Sequence, residues 1–541
     1  MNYNNHVIPM FVSPVVLLSD ETVLLLFKSI MSTKVFNDPI HGHIELEPVE
    51  VQVIDTMQFQ RLRELKQLGV SYYVYLGATH HRFEHSIGVC HLAGVWIKHL
   101  RKTQPELNIT DTEVKCVRLA GLTHDLGHGP FSHLFENGFI RHALPKSTWT
   151  HEQASEDMLS YMVEQNPAVD INDAELTFIK DLIHGKPRSK YPEASKGFLF
   201  EIVANTRNSI DVDKFDYILR DCHNVGMKET INPSRLITLS RVIDNQICFN
   251  QKEAYNLYEV FHCRFSLFKQ VYTHRVSTAI EYMIKDIFLL ADPHLKISQN
   301  IHDMSQYVFL DDSILLAIER SQKIQLKPAR DLLKRLRKRD LYKFIDQVII
   351  PFELLDSGFD KSQITSHMIW KLTNCKELKE SDIIVQWLTL NYAMKDRNPV
   401  DSVRFYSKYD LNKAVSIRKE QVSGLIPEHY KEVTVRVYSR QTNTRFASMI
   451  QIAFRTVLQN INAKIESENL QLQPDSYDQY SVEENDLSLS QESSGGVQLN
   501  TPIADHGKNP FLDSPEIRRP TSVSRNGTPS KRLLEVTYFF I

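Results

Sequence analysis

The two most informative segments of this sequence are HHRFEHSIGV, at His80–Val89, and GLTHDLGHGPFSH, at Gly121–His133. Ten of the chain's 22 histidines lie between His80 and His151. In the second segment His124 is followed directly by Asp125, and adjacent side chains diverge by about 100° around a helix. They converge on one point only where a helix ends, and Gly127 and Gly129 predict such an end.

These residues form a candidate metal site. Neutral imidazole and carboxylate groups, with positions left open for water, are typical ligands of a catalytic divalent metal. A lone histidine on an apolar face is more often an ordinary core residue. The density of histidines around His85 and the His124-Asp125 pair favours metal ligation here.

A third segment, RNSIDVDKFDYILRDCH at Arg207–His223, supplies a fourth candidate ligand. Its charges alone are typical of a surface helix with salt bridges. Its apolar positions, among them Ile210 and Phe215, place part of it in the interior, where a carboxylate needs a metal or a cation. Asp213 then completes a ligand set with His85, His124 and Asp125.

The composition describes a large soluble globular protein. The chain has 541 residues, 42% of them hydrophobic and 24% charged. A net charge of −3 argues against a general nucleic-acid binder, although local basic patches remain compatible with it. The six cysteines show no CxxC spacing, which indicates reduced thiols in the cytosol or nucleus.

The pattern of apolar residues predicts a mainly α fold. A β-hairpin is expected at 34–46, followed by helices at 54–68, 84–100 and 110–126, the last capped by Thr110 or Asp111. Further helices are expected at about 150–164, 173–184, 211–221, 253–290 and 311–345. Alternating residues between 400 and 440 predict a small lobe containing β-strands, closed by a helix at 443–464.

Four regions are predicted along the chain. Residues 1–33 form a short apolar tail, in which neither apolar run approaches the roughly 20 residues of a membrane span. Residues 34–345 form the helical core, and residues 346–465 a smaller C-terminal regulatory lobe. Residues 466–541 are predicted to be disordered and contain Thr528-Pro529, a candidate site of proline-directed phosphorylation.

The His…HD…Asp pattern resembles that of the HD-domain phosphohydrolases. Longer strings are similar to the family of SAM-and-HD-domain deoxynucleoside triphosphate (dNTP) triphosphohydrolases: NDPIHGHIEL, FQRLR, RFEHS, HDLGHGPFSH, WTHEQ, IDVDKFDY and FHCRFSL. The similarity runs from about Lys34 to about Tyr438 and is broken mainly between 345 and 385. The family's N-terminal sterile-alpha-motif domain has no counterpart in this similarity.

The resemblance implies an HD-domain helical core with short β-hairpins and a small α+β C-terminal lobe. It implies hydrolysis of dNTPs to deoxynucleoside and inorganic triphosphate, activated by GTP and dNTP binding in a homotetramer. The metal would be zinc, or iron, manganese or magnesium. Lower cellular dNTP pools, with roles in antiviral defence and in DNA replication and repair, and a nuclear location, with the cytoplasm as an alternative, are also implied.

The resemblance assigns a group of residues to catalysis and substrate binding. His151 is the candidate general acid or base, with His128 and His133 beside it, and Glu136 stands where the family has Asp. Tyr272 is expected to exclude a ribose hydroxyl by its bulk. The residues expected to bind the substrate are Gln67, Leu68, Arg82, His128, His133, Lys214, Tyr217, Asp221, Arg264 and Tyr272.

The resemblance also assigns two activator pockets. The residues expected to bind GTP are Lys34, Val35, Asp55, Gln60, Arg63, Arg339, Lys343 and Lys408. The residues expected to bind a dNTP between subunits are Asn37, Val74, Tyr75, Arg235, Lys252, Asn256, His274 and Arg275. Asn250 replaces a family Arg and Arg275 a family Lys; loss of one phosphate-binding cation is expected to weaken activator binding.

Two other functions stay open. One is an HD phosphohydrolase that acts on cyclic or 5′-mononucleotides, which free triphosphate as a product would exclude. The other is a protein that binds single-stranded RNA or DNA, for which KRLRKR at Lys334–Arg339 is the best basic patch. The same residues are equally compatible with a solvated helix face.

Overall fold

The computed structural model describes residues 33–189, 194–465 and 471–475. The fold is mainly α, as the sequence predicts, with three small sheets. Residues 1–32 of the predicted N-terminal tail lie outside the described residues, as does the predicted disordered tail apart from residues 471–475, where Leu472 is buried and Pro474 forms a bridge to Val348. The α-helices within the described residues are Pro48–Ile54, Met57–Gln60, Arg82–Thr103, Asp111–Thr123, Arg141–Ala143, His151–Gln165, Asp173–His184, Phe200–Val203, Val212–Val225, Pro233–Thr238, Ala254–Leu267, Arg275–Leu295, Met304–Tyr307, Ile314–Arg320, Lys327–Arg337, Phe352–Asp356, Ser366–Thr373 and Thr444–Asn462.

The two helices Arg82–Thr103 and Asp111–Thr123 form the centre of the main core. The second begins at the predicted cap, because the Thr110 hydroxyl accepts from the amide of Glu113 while the Glu113 carboxylate accepts from the amide of Thr110. Trp96 is fully buried and stacks on Phe215, with ring centroids 5.6 Å apart. This stacking holds the helix Val212–Val225 against Arg82–Thr103.

The described residues contain nine strands: β1 Lys34–Asp38, β2 Gly42–Leu46, β3 Ser240–Ile243, β4 Gln246–Asn250, β5 Lys343–Ile350, β6 Ile383–Asn391, β7 Arg404–Ser407, β8 Asp410–Val415 and β9 Lys431–Ser439. The pair β1-β2 is the predicted N-terminal hairpin, with Lys34 opposite Leu46. A four-stranded sheet has the order β3-β4-β7-β8, in which β4 and β7 are parallel. An antiparallel sheet has the order β5-β9-β6.

The sheet β5-β9-β6 has a core of its own. Val348, Val435 and Val437 are buried beneath Phe454 of the helix Thr444–Asn462. The predicted helix at 443–464 and the predicted β content of 400–440 are therefore confirmed. β3 and β4 form a local hairpin across Asp244 and Asn245 that was not predicted. β5 and β6 were not predicted either, because both pair with β9, which lies far along the chain.

Three of the predicted long helices are wrong in their extent. The helix predicted over 311–345 is broken after Arg320 and ends at Arg337; Arg339 then takes a left-handed φ of 62° before β5 begins. The helix predicted over 54–68 is interrupted because Thr56 caps a new short helix with its side chain. The helix predicted over 253–290 is interrupted by a π-turn at Phe268–Tyr272.

Among the described residues, no helix is both long and apolar enough to cross a membrane. The predicted boundary between the helical core and the C-terminal lobe, at residues 345 and 346, lies within the described residues and stays a prediction.

Candidate active site

His85 lies one turn into the helix Arg82–Thr103 and is almost completely buried. Its Nδ1 is 2.7 Å from the carboxylate of Asp216, and its Nε2 is 3.2 Å from Oδ1 of Asp213. Because an ionised carboxylate only accepts, Nδ1 donates to Asp216. In the neutral tautomer that metal binding requires, the lone pair of Nε2 therefore points toward Asp213 and Asp125.

The helix ends at Thr123, three residues before the predicted end at 126, so His124 and Asp125 lie in the turn that follows it. Nδ1 of His124 donates to the carbonyl of Gly121 at 2.8 Å, which leaves the lone pair on Nε2. That buried Nε2 has no hydrogen-bond partner among the described residues. It lies 3.4 Å from Oδ1 of Asp125 and 3.6 Å from Oδ1 of Asp213.

The four predicted ligands therefore converge. One ligand atom from each of His85, His124 and Asp125 lies within 4.8 Å of the others. An unpartnered buried nitrogen beside two carboxylates is costly unless a cation completes its contacts. The donor set fits a divalent metal, and the partly exposed side chain of Asp213 leaves one side open to solvent.

The carboxylates of this cluster stay ionised. Burial raises the pKa of Asp125, but the neighbouring cation of Arg82 outweighs it and holds the pKa well below its usual range. Burial also raises the pKa of Asp213, but the adjacent imidazoles of His124 and His85 outweigh it, and the pKa lies below its usual range. Both groups therefore present negative charge to a bound cation.

A second group of imidazoles lies beside the first. His128, His133 and His151 each offer a ring nitrogen within 4.8 Å of the other two. The rings of His128 and His151 stack with centroids 4.0 Å apart. The backbone before His128 lies close to the helix His151–Gln165. Gly127 permits this close packing, because a Cβ at Gly127 would lie 2.1 Å from the amide nitrogen of Ser155 on that helix.

Glu136 orients His151. It lies in the π-helical turn Leu134–Ile140, and its Oε2 accepts from Nδ1 of His151 at 2.6 Å. Burial raises the pKa of Glu136, but the hydrogen bond from His151 outweighs it, so the pKa lies below its ordinary value. The longer side chain, where the family has Asp, thus still reaches the imidazole.

The predicted phosphate-binding cations are held in different ways. Arg82 is buried and donates to Asp125 and, at 3.0 Å, to Ser132. The ammonium of Lys214 lies 3.2 Å from both oxygens of Asp211. Arg264 donates to the carbonyl of Asn391 at 2.8 Å and lies over the ring of Phe268.

The predicted sugar-binding residues centre on Asp221. This buried carboxylate accepts from the Tyr272 hydroxyl at 2.5 Å and lies 2.7 Å from Nε2 of His80. Gln67 is buried, and its Oε1 has no hydrogen-bond partner within the described chain. Leu68, Tyr217 and Tyr272 are half-buried side chains at the border of the main core.

Comparison with known proteins agrees with this geometry. The HD domain family matches residues 82–220. The SAMHD1 homolog of Dictyostelium discoideum, a deoxynucleoside triphosphate triphosphohydrolase, is 45% identical over 436 residues, which are 81% of this chain and 82% of that protein. The chain belongs to the SAMHD1 family of deoxynucleoside triphosphate triphosphohydrolases.

Two further relatives are similar to this chain over comparable lengths. Bovine deoxynucleoside triphosphate triphosphohydrolase SAMHD1 is 43% identical over 451 residues, which cover 76% of each chain. A putative HD domain-containing protein of Acanthamoeba polyphaga mimivirus is 31% identical over 444 residues, covering 77% of this chain and 94% of its own. The similarity to the SAMHD1 family therefore extends well beyond the HD domain.

Several residues of the predicted GTP pocket contact one another. The ammonium of Lys34 lies 3.2 Å from Asp55, and Arg63 donates to Gln60 at 2.9 Å while it covers the ring of Phe83. Val35 is exposed. Arg339 donates to the carbonyl of Tyr73, Lys343 begins β5, and Lys408 lies over the ring of Tyr409.

The residues of the predicted dNTP activator pocket fall into separate contact groups. Arg235 and Asn256 both contact the buried carboxylate of Glu253, at 2.7 and 2.6 Å, and Lys252 precedes it. The Tyr75 ring, next to Val74, meets His274, which caps the helix that begins at Arg275. Asn37 lies on β1, opposite His43. Asn250 caps the turn before Lys252 with its side chain.

Several residues that contact the site had no predicted role. Asp216 holds His85, and His80 contacts Asp221. His41 and Arg220 contact Asp216 from the other side. Two weak signals were available: His41 lies in the matched string NDPIHGHIEL, and Asp216 lies three residues after Asp213 on a largely buried helix.

Proposed function

We propose that this chain hydrolyses dNTPs to deoxynucleoside and inorganic triphosphate at the HD centre. One observation carries the proposal: the unpartnered Nε2 of His124, in a cluster with His85 and Asp125, lies next to a second cluster of three histidines. A ligand set for a cation and a set of proton-transferring imidazoles thus share one site. The SAMHD1 relatives are deoxynucleoside triphosphate triphosphohydrolases, which supports the choice of substrate.

His85, His124, Asp125 and Asp213 would hold a divalent metal. When bound, such an ion supplies positive charge to a phosphate oxygen and lowers the pKa of water. Arg82, Lys214 and Arg264 neutralise the remaining negative charge of the triphosphate, for which Arg also offers paired donors.

Water adds to the α-phosphorus as the bond to the 5′-oxygen of the deoxyribose breaks, and His151, as general acid or base, gives a proton to that oxygen or takes one from the water. Glu136 holds Nδ1 of His151, which leaves Nε2 for this transfer. Tyr272 is fixed by its hydrogen bond to Asp221 and closes the position that a ribose 2′-hydroxyl would need. Tyr272→Ala should therefore admit ATP at some cost in rate.

The test is incubation of the purified protein with each dNTP, followed by chromatography of the products. Inorganic triphosphate and deoxynucleoside must appear together. Pyrophosphate or a mononucleotide would instead support a different HD phosphohydrolase. Elemental analysis of the same preparation identifies the metal.

We also propose that GTP and a dNTP activate the enzyme by assembling a tetramer. Two pairs of the proposed GTP-binding residues are in contact, Lys34 with Asp55 and Arg63 with Gln60, which supports the proposed pocket. A ligand that binds the assembled state more tightly stabilises that state. Sedimentation should show a shift to tetramer with GTP and dNTP, and Asp55→Ala should prevent the shift while leaving the metal in place.

Binding of single-stranded RNA or DNA at Lys334–Arg339 stays an alternative. Two cations of this patch are already paired, Arg335 with Asp340 and Arg337 with Glu319. Binding that survives removal of both metal and GTP would favour this function. A nuclear location, and roles in antiviral defence and DNA replication, stay predictions from the resemblance.

A further inference from the structure

A buried charged network lies behind His85. Asp216 uses both carboxylate oxygens: Oδ2 is 2.7 Å from Nδ1 of His85, and Oδ1 is 2.7 Å from Nε2 of His41. The side chains of Asp216 and Arg220 are 0% and 1% exposed. Their contacts are therefore shielded from water. Hydrogen bonds between charged groups are strongest in such a buried environment.

Arg220 connects this carboxylate to the N-terminal hairpin. Its Nε and Nη2 donate to the two oxygens of Asp216, each at 2.9 Å, and its Nη1 donates to Oδ2 of Asp38 at 2.8 Å. The other oxygen of Asp38 accepts from the amides of Ile40 and His41, at 2.9 and 2.8 Å. One carboxylate thus holds both the guanidinium and the turn that carries His41.

Gly88 leaves Asp216 little freedom to move. Gly88 lies on the same helix as His85, and a Cβ there would lie 1.9 Å from Oδ1 of Asp216. The carboxylate is therefore seated directly against the backbone of the helix that presents the metal ligand. A change in the contacts of Asp216 is transmitted to the ring of His85.

The same hairpin carries residues of the proposed activator pockets. Lys34, at its open end, contacts Asp55, whereas Asp38 and His41 form its turn. One end of the hairpin thus contacts Asp55 of the proposed GTP pocket, and the other end contacts Arg220 and Asp216 behind His85.

We propose that Asp38 and His41 are positioning residues for the metal centre. Through Arg220 and Asp216 they hold the His85 imidazole in the tautomer and orientation that present Nε2 to the metal, so that an ordered hairpin sets the metal affinity. The inference rests on the proposed function only in taking His85 as a metal ligand.

The experiment measures the dissociation constant of Zn²⁺ for the full chain, by competition with a chromophoric chelator and without nucleotide. His41→Ala should weaken binding about tenfold to a hundredfold, the usual effect of losing an outer partner of a metal-bound histidine. His41→Gln, whose amide nitrogen can still donate to Asp216, should restore much of the affinity. His43→Ala is the matched control, since His43 lies on the same hairpin but is exposed.

Asp38→Asn gives a second, structurally milder variant. Its amide oxygen still accepts from the turn amides, while the charge opposite Arg220 is lost. We expect weaker Zn²⁺ binding and a lower melting temperature of the metal-free protein, because a buried charge opposite Arg220 is lost, with the fold retained. If His41→Ala or a folded Asp38→Asn binds Zn²⁺ as tightly as the wild type, the positioning role is wrong.

Because no nucleotide is present, this result is independent of the substrate. A wild type that binds Zn²⁺ but does not hydrolyse dNTPs would refute the proposed function and leave the positioning role standing. Wild-type affinity in the variants, in an enzyme that hydrolyses dNTPs, would refute only the positioning role.

Discussion

His85 and His128 are equally buried, yet their protonation is shifted in opposite directions. Burial lowers the pKa of both rings. For His85, the hydrogen bonds to Asp213 and Asp216 outweigh burial and raise the pKa to about 10 when no metal is bound. For His128, the positive charge of Arg82 and the neighbouring imidazole of His151 add to the effect of burial, and the pKa falls well below its usual value.

This difference divides one histidine-rich centre into two parts with different chemistry. Asp125 lies at the border, with one oxygen 3.6 Å from Nε2 of His85 and the other 3.3 Å from Nε2 of His128. On the side of His85, carboxylates create a place for a cation. On the side of His128, burial and the cation of Arg82 keep the His128 imidazole neutral, which suits contact with an anionic phosphate.

The largest effect should come from Asp125→Asn, which removes the shared carboxylate. A metal site that loses a charged ligand should lose more than the roughly tenfold to hundredfold affinity that outer partners contribute. We expect turnover to be abolished, and the metal content measured by elemental analysis to fall with it. Near-normal metal and activity would refute the assignment of this cluster.

His151→Ala should separate the two parts. Loss of a general acid or base typically lowers the rate by about 10²–10⁴-fold. Because His151 belongs to the group that does not hold the metal, the metal content should remain that of the wild type. Metal loss in this variant would show that the two histidine groups act as one ligand set.

Glu136→Gln should have a smaller effect. The substitution keeps the length of the side chain but removes the charge that orients His151, and a hydrogen bond to a charged group contributes about 1.5–3 kcal/mol. We expect a loss in rate of at least about tenfold. Glu152→Gln is the control, because Glu152 lies farther from the same nitrogen, at 3.6 Å, and is more exposed. Equal losses in both variants would contradict the role of Glu136.

The smallest effect concerns acid stability. The pKa of Glu136 lies below its ordinary value of 4.5 in the folded chain, so its hydrogen bond with His151 stabilises the fold above that pH. This contribution is lost as the pH falls through the lowered pKa. The difference in melting temperature between the wild type and Glu136→Gln should therefore shrink below about pH 4.5. A difference that grows on acidification would contradict the direction of the shift.

Local sequence was sufficient for the parts of the site that depend on local geometry. The glycines after Asp125 indicated where the helix ends, and the cap at Thr110 indicated where it begins. The spacing of His85, His124-Asp125 and Asp213 was sufficient to nominate four side chains that do converge. The roles of these residues in catalysis stay predictions.

Long-range packing decided the features that the sequence did not reveal. His41 and Asp216 are separated by 175 positions in the chain, so no local pattern connects them. The helix predicted over 311–345 overlaps the first three residues of β5, a strand whose partner, β9, begins far away at Lys431. The opposite pKa shifts of His85 and His128 arise from the charges that folding brings to each ring, since the isolated side chains are chemically identical.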